Sequence, residues 1–111
     1  MNWINWSRID ELTQGDHAFG RELLEMYIED ARDLVGQIEQ ALAQGNLSSA
    51  SQVAHTLKGS SGNVGADVVF GLAQNLEAQL RNGDGQSAKG LVAEIQSGLD
   101  STEESLQARF G

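Results

Sequence analysis

Residues 55–66, which read HTLKGSSGNVGA, contain the side chains of this chain that are best suited to chemistry. In a helix with about 100° between successive residues, Val53, Leu57 and Val64 lie opposite His55. Because these apolar side chains belong in the interior, the imidazole of His55 is expected to face water. An unperturbed imidazole has a pKa of about 6.5, so its neutral, nucleophilic form is available at physiological pH. It can attack a phosphoryl group to form a phosphoramidate that is then passed onward.

The residues next to His55 suit such a transfer. Lys58 lies one turn along on the adjacent face, where its ammonium can reach phosphoryl oxygens and disfavour an imidazolium. Gly59 and Gly62 share the side of His55, although a glycine within a helix costs roughly 0.5–1 kcal/mol relative to alanine. Folding gains nothing obvious from glycines on an exposed face. We interpret them as clearance for a partner whose reacting group must come within about 3–3.5 Å of the imidazole.

The second ring nitrogen of His55 is expected to need a partner that sets its tautomer and orientation. If two antiparallel helices meet at a turn near Gly65, residues 55 and 77 lie at nearly the same height, within roughly 3 Å. Glu77 is therefore the candidate acceptor of a hydrogen bond from the imidazole. Arg81 lies one turn further along the same helix. The predicted docking face consists of Ser51, Gln52, Gly59, Gly62 and Arg81.

Five helical segments are predicted to position these residues, and the fold class is all-α. They cover residues 7–13, 17–44, 48–63, 67–81 and 86–109, with Ser7 as the cap of the first segment. Glycine-containing turns separate them, and no strand pattern competes for a segment of comparable length. Four amphipathic helices with short connections favour an antiparallel up-and-down four-helix bundle, with the short first helix covering one end.

Apolar residues that recur three and four positions apart define the predicted buried faces. In the first helix these are Trp3, Trp6, Ile9 and Leu12. In the second helix they are Phe19, Leu23, Met26, Tyr27, Ala31, Leu34, Ile38, Ala41 and Leu42. Ser60 and Ser61 are placed on the inward side of the third helix, where small side chains let neighbouring helices approach closely.

Composition excludes several classes of function. A net charge of -9 leaves no basic patch to neutralise phosphates, so nucleic acid is not an expected partner. The absence of cysteine excludes disulfides and thiolate metal sites and fits a reducing compartment, and His17 is the only other histidine. No apolar run is long enough to span a membrane, and the N-terminus lacks a signal-peptide pattern. We expect residues 1–111 to form one cytoplasmic domain.

Residues 55–66 resemble the signature of the histidine-containing phosphotransfer (HPt) domain of multistep two-component signalling. The resemblance rests on a histidine with lysine three and glycine four residues later, and on the Gly-Ala pair that ends the helix. It implies a four-helix bundle in which Nε2 of His55 is phosphorylated, with Lys58 as the assisting lysine and Gly59 as the clearance glycine. Many members have glutamine at the position corresponding to Glu77, so glutamate is a departure from the pattern.

The resemblance implies a phosphoryl carrier that accepts the group on His55 from a receiver-domain aspartate and passes it to another receiver domain. The partners would be response-regulator receiver domains and a hybrid sensor histidine kinase, and the carrier would act as a monomer. It needs no cofactor of its own, since the Mg²⁺ belongs to the receiver. The chain has no P-loop, so it is not expected to be a kinase.

Two other interpretations of the sequence differ in class. A helical adaptor would bind a receiver or kinase domain through the same face without being phosphorylated, but it would not need His55. An independent hydrolase is disfavoured because Glu77 is the only candidate for a second catalytic group.

Overall fold

Residues 2–110 form five α-helices in a computed structural model, and the helices begin and end close to the predicted positions. They are α1 (Trp6–Thr13), α2 (His17–Ala43), α3 (Leu47–Asn63), α4 (Asp67–Arg81) and α5 (Gly85–Phe110). The connections between the last four helices are short turns, so sequential helices run antiparallel. Within residues 2–110 there is no strand.

Helices α2 to α5 form the predicted four-helix bundle. α3 packs against α2 and α4, and α5 closes the bundle by packing against α4 and α2. The seam between α3 and α4 therefore lies across the bundle from the seam between α2 and α5. α2 and α5 have 27 and 26 residues and extend beyond α3 and α4, which have 17 and 15. α1 packs on α2 near the projecting ends and caps the bundle as predicted.

The turn between α3 and α4 is shaped for contact with α1. Gly65 has a φ of +73°, and a Cβ there would lie 3.0 Å from the Asn5 side chain and 3.1 Å from that of Arg8. Its carbonyl oxygen accepts a hydrogen bond from the Asn5 N–H at 2.8 Å. Asn5 also caps α1, since its side chain accepts from the Arg8 N–H at 3.2 Å. The prediction of Ser7 as the cap is wrong, because this contact fixes Asn5 just before the helix and asparagine caps as well as serine.

The predicted stripe of α2 is correct on one flank and wrong on the other. Phe19 and Met26, which were expected in the core, are 47% and 57% exposed. The buried face of α2 is instead completed by Leu24, Ile28 and Val35. Spacings of three and four allow two overlapping stripes on this helix, and packing between α3 and α5 selects the one that is buried. In the two-turn helix α1, Leu12 is likewise 39% exposed, while Ile9 and Thr13 face inward.

A buried hydrogen bond joins α2 to α3. The Tyr27 hydroxyl lies 2.6 Å from Oγ of Ser61, and both side chains are buried. Burial raises the pKa of Tyr27 to about 12, against the opposite effect of the hydrogen bond to Ser61. Ser61 therefore faces inward as predicted, whereas Ser60 is only half-buried and donates to the Leu57 carbonyl oxygen at 3.2 Å. The bond holds α2 against the helix that carries His55.

Tyr27→Phe is expected to lower the free energy of unfolding by about 1–3 kcal/mol, because it leaves the Ser61 hydroxyl buried without its partner. Ser61→Ala should cost a similar amount, and the double variant should cost less than the sum of the two. Urea unfolding at neutral pH measures all three. Additive losses would show that the two hydroxyls do not interact.

The pair of Tyr27 and Ser61 also predicts that the free energy of unfolding depends on pH in the alkaline range. Because folding raises the pKa of Tyr27 above 10.0, its contribution to stability is complete below that pH and is lost as the pH rises toward about 12. The chain has one tyrosine, so this loss should be absent from Tyr27→Phe.

Candidate functional site

His55 lies on α3 and faces away from the core. On the same helix Ala54 and Leu57 are fully buried, whereas the side chain of His55 is 61% exposed. α3 begins after Asn46, whose side chain accepts a hydrogen bond from the Ser49 N–H at 3.0 Å. The expected outward presentation of the imidazole is confirmed.

One ring nitrogen of His55 is held and the other is left for a partner. Nδ1 lies 2.9 Å from Oε2 of Glu77, across the seam between α3 and α4. Since a carboxylate can only accept, Nδ1 carries the proton in the neutral ring and Nε2 keeps its lone pair. The predicted contact between these two side chains is present, and it defines which nitrogen can act as a nucleophile.

Glu77 is more deeply buried than its predicted position at the edge of the apolar stripe implied. Its side chain is only 6% exposed. Oε1 lies 3.1 Å from Nζ of Lys58, and Oε2 lies 2.6 Å from a guanidinium nitrogen of Arg81. Burial acts to raise the pKa of Glu77, but hydrogen bonds from Lys58 and His55 and the charge of Arg81 outweigh it, so the pKa lies below its ordinary value. The carboxylate is therefore ionised at neutral pH and gathers three side chains around it.

The residues of the predicted docking face differ in exposure. Gln52 is exposed near His55, but Ser51 is buried, with a relative exposure of 9%. Ser51 lines the groove between α3 and α4 together with Leu80 and Arg81. The expected exposure of Ser51 on the side of His55 is therefore wrong, because α4 packs against that flank of α3. Arg81 remains 66% exposed at this seam while it pairs with Glu77.

The two glycines beside His55 meet different surroundings. A Cβ at Gly59 would have no atom of another described element within 4 Å. A Cβ at Gly62 would lie 3.2 Å from the ring of Phe70 on α4. Gly59 thus keeps open space in front of α3, as predicted, whereas Gly62 also makes room for the packing of α4.

Sequence reasoning missed an exposed apolar surface on α2. Met26 precedes Tyr27, whose hydroxyl reaches Ser61, so Met26 stands about 10 Å along the bundle axis from the height of His55. Phe19 lies two turns before Met26 on the same flank of α2. The apolar residues at spacings of three and four were the available signal, but this pattern predicts a buried face equally well.

Residues 2–110 contain no group of three or more His, Cys, Asp or Glu side chains arranged to hold a metal ion. Over the same residues, each helix is too short or too polar to cross a membrane.

Gly59→Ala is expected to raise the free energy of unfolding by about 0.5–1 kcal/mol, because alanine is the better helix former and its methyl group has open space. Gly62→Ala should gain less or lose stability, since its methyl group presses on Phe70. Urea unfolding of the two variants tests this contrast. Equal gains would show that Phe70 does not restrict position 62.

Comparisons with known proteins agree with this geometry. The family model of the Hpt domain matches residues 22–105. Histidine-containing phosphotransfer protein B (HptB) from Pseudomonas aeruginosa PAO1 superposes with a TM-score of 0.87 at 21% identity, over 96% of this chain and 93% of that one. The HPT domain of the Hpt sensor hybrid histidine kinase from Shewanella superposes with a TM-score of 0.73 at 21% identity, over 95% and 91%.

A comparison with curated protein sequences gives no match. The family model nevertheless covers most of the chain and includes α3 and α4, which carry the site. The chain belongs to the Hpt-domain family and is a histidine phosphotransfer carrier of a phosphorelay.

Proposed function

We propose that His55 is the residue of this carrier that takes the phosphoryl group from a receiver-domain aspartate and gives it to a second receiver domain. The proposal rests on the exposure of the imidazole and on the hydrogen bond that one of its nitrogens makes. Its side chain is 61% exposed, and Nδ1 is held at 2.9 Å by Glu77, so Nε2 has a lone pair on a side that a partner can reach.

The transfer step follows from that arrangement. The lone pair of Nε2 attacks the phosphorus of the aspartyl phosphate, an N–P bond forms, and the P–O bond to the aspartate breaks. The electron pair of that bond leaves with the aspartate carboxylate. The ring keeps its proton on Nδ1 and becomes positively charged, and the buried carboxylate of Glu77 stabilises this charge. The reverse sequence of bonds passes the group to the next receiver.

Lys58 is the cation nearest to the transferred group in this proposal. Its side chain starts one turn from His55 and is 25% exposed, and its ammonium lies beside Oε1 of Glu77. A flexible side chain lets the point charge move toward phosphoryl oxygens on Nε2. Positioning and charge stabilisation are the main contributions that phosphoryl transfer needs from a protein.

The docking surface that we propose consists of His55, Gln52, Gly59 and Met26. Gly59 leaves space beside the imidazole, and Met26 offers an exposed apolar contact on the neighbouring helix. α3 contains no acidic residue, and α4 contains only Asp67 and the buried Glu77, although the chain as a whole is strongly acidic. The part of the surface formed by α3 and α4 therefore presents little repulsion to the aspartate of a receiver domain, whereas Met26 lies among acidic residues of α2.

The proposed carrier works as a monomer. Every side chain of the cluster comes from one chain, so a monomer can carry out the transfer. The carrier would have no autokinase activity and no cofactor of its own, with the Mg²⁺ held by the receiver. A hybrid sensor histidine kinase would supply the phosphoryl group, and a cysteine-free composition fits a cytoplasmic location.

Incubation with a ³²P-phosphorylated receiver domain tests the role of His55. We expect acid-labile, base-stable label on the wild type and none on His55→Gln, because the amide has no nucleophilic ring nitrogen. ATP and Mg²⁺ without a receiver should give no label. Equal labelling of His55→Gln would contradict the proposal, and receiver binding without transfer in either direction would favour the adaptor.

Lys58→Ala is expected to slow transfer from the receiver by about tenfold or more, because the developing phosphoryl charge loses its nearest cation. Lys89→Ala on α5 is the matched control, since Lys89 is exposed and lies outside the α3–α4 seam. Single-turnover rates measure the effect, and thermal unfolding checks that both variants fold. A rate equal to that of Lys89→Ala would remove Lys58 from the mechanism.

A further inference from the structure

We infer that Arg81 is a positioning residue that acts on the transfer through Glu77 and is not a docking residue. Its guanidinium balances the charge of Glu77, so that Lys58 can leave the carboxylate for the phosphoryl group. The inference rests on the proposed role of His55.

The two oxygens of the Glu77 carboxylate bind different partners. Arg81 and the imidazole N–H share Oε2, at 2.6 and 2.9 Å, while Lys58 occupies Oε1 at 3.1 Å. Arg81 follows Glu77 by one turn of α4, so the helix itself holds this pair together. When the ammonium of Lys58 moves away, the carboxylate still has Arg81 and the imidazole on Oε2.

The charges of the cluster lead to the same assignment. With the ring in the neutral form that attacks phosphorus, the carboxylate and the two cations give the cluster one net positive charge. Phosphorylation adds a dianionic group and makes the ring cationic, which brings the cluster to neutrality. Arg81 supplies the positive charge that makes this balance possible.

Loss of Arg81 would leave two anionic groups to compete for one ammonium. The side chain of Glu77 is only 6% exposed. Leaving its buried negative charge without a cation would therefore raise the free energy of the folded protein. Lys58 would then remain on Oε1 and would stabilise the phosphoryl group less. Arg81 itself is 66% exposed, so its replacement by another polar side chain leaves the core intact.

The test is a double-variant cycle measured by single-turnover transfer from a phosphorylated receiver domain. Arg81→Gln is expected to lower the rate at saturating receiver by about tenfold, with little change in the half-saturating receiver concentration. In the Glu77→Gln background, the same replacement should change the rate by about twofold or less, because no carboxylate remains to hold Lys58. Lys89→Gln removes one positive charge elsewhere and should leave the rate unchanged.

Three results would contradict the inference or its premise, and they differ in the transfer rate and in the half-saturating receiver concentration. An unchanged rate for Arg81→Gln would make Arg81 a bystander. Equal losses in both backgrounds, with a higher half-saturating receiver concentration, would make it a docking contact. Absence of label from wild-type His55 would instead refute the proposed function.

A spectroscopic readout accompanies the kinetics. ¹⁵N NMR of the His55 ring should show the proton on Nδ1 in both the wild type and Arg81→Gln, since Glu77 still accepts it. Movement of this proton in Arg81→Gln would show that Arg81 acts by orienting the imidazole and would overturn the release of Lys58 as the mechanism.

Discussion

The site depends on one constraint, which is that a carboxylate shielded from water between two helices must be paired. Glu77 meets this constraint with Lys58 and Arg81 as ion-pair partners and with His55 as a hydrogen-bond donor. Satisfying the carboxylate therefore orients the imidazole, keeps its proton on Nδ1 and stores an ammonium beside it. The same contacts tie α3 to α4 at the height of the histidine, so the register of these two helices and the geometry of the site depend on each other.

The rest of the bundle holds α3 in the position that this arrangement needs. Leu57 and Ala54 anchor its inner face, and the bond between Tyr27 and Ser61 fixes it against α2. On the opposite seam, Arg32 of α2 bridges Asp100 and Glu103 of α5 at 3.0 and 2.8 Å. These exposed ion pairs each contribute little to stability. Most acidic residues of the chain lie on α2 and α5, and α3 has none.

Glycine serves three purposes within a short stretch of this chain. Gly59 leaves the surface beside the imidazole open, Gly62 makes room for Phe70, and Gly65 adopts the left-handed conformation that lets α1 lie against the turn. A helix with two interior glycines is intrinsically weaker, so α3 relies on its packing for stability. The short helix α1 contributes to that packing through the hydrogen bonds that Asn5 and Arg8 make to the end of α3 and the turn after it.

The sequence alone determined the helices, the outward direction of His55 and the pairing of its height with Glu77, because these follow from local periodicity and from the rise of a helix. It also placed Lys58 and Gly59 beside His55, because their positions depend only on their spacing from it. Packing between helices decided the rest: the burial of Ser51, the exposure of Met26 and the pairing of Lys58 with Glu77. A single helix shows which residues share a side, but the neighbours in the bundle decide which flank is closed and which charges are brought together.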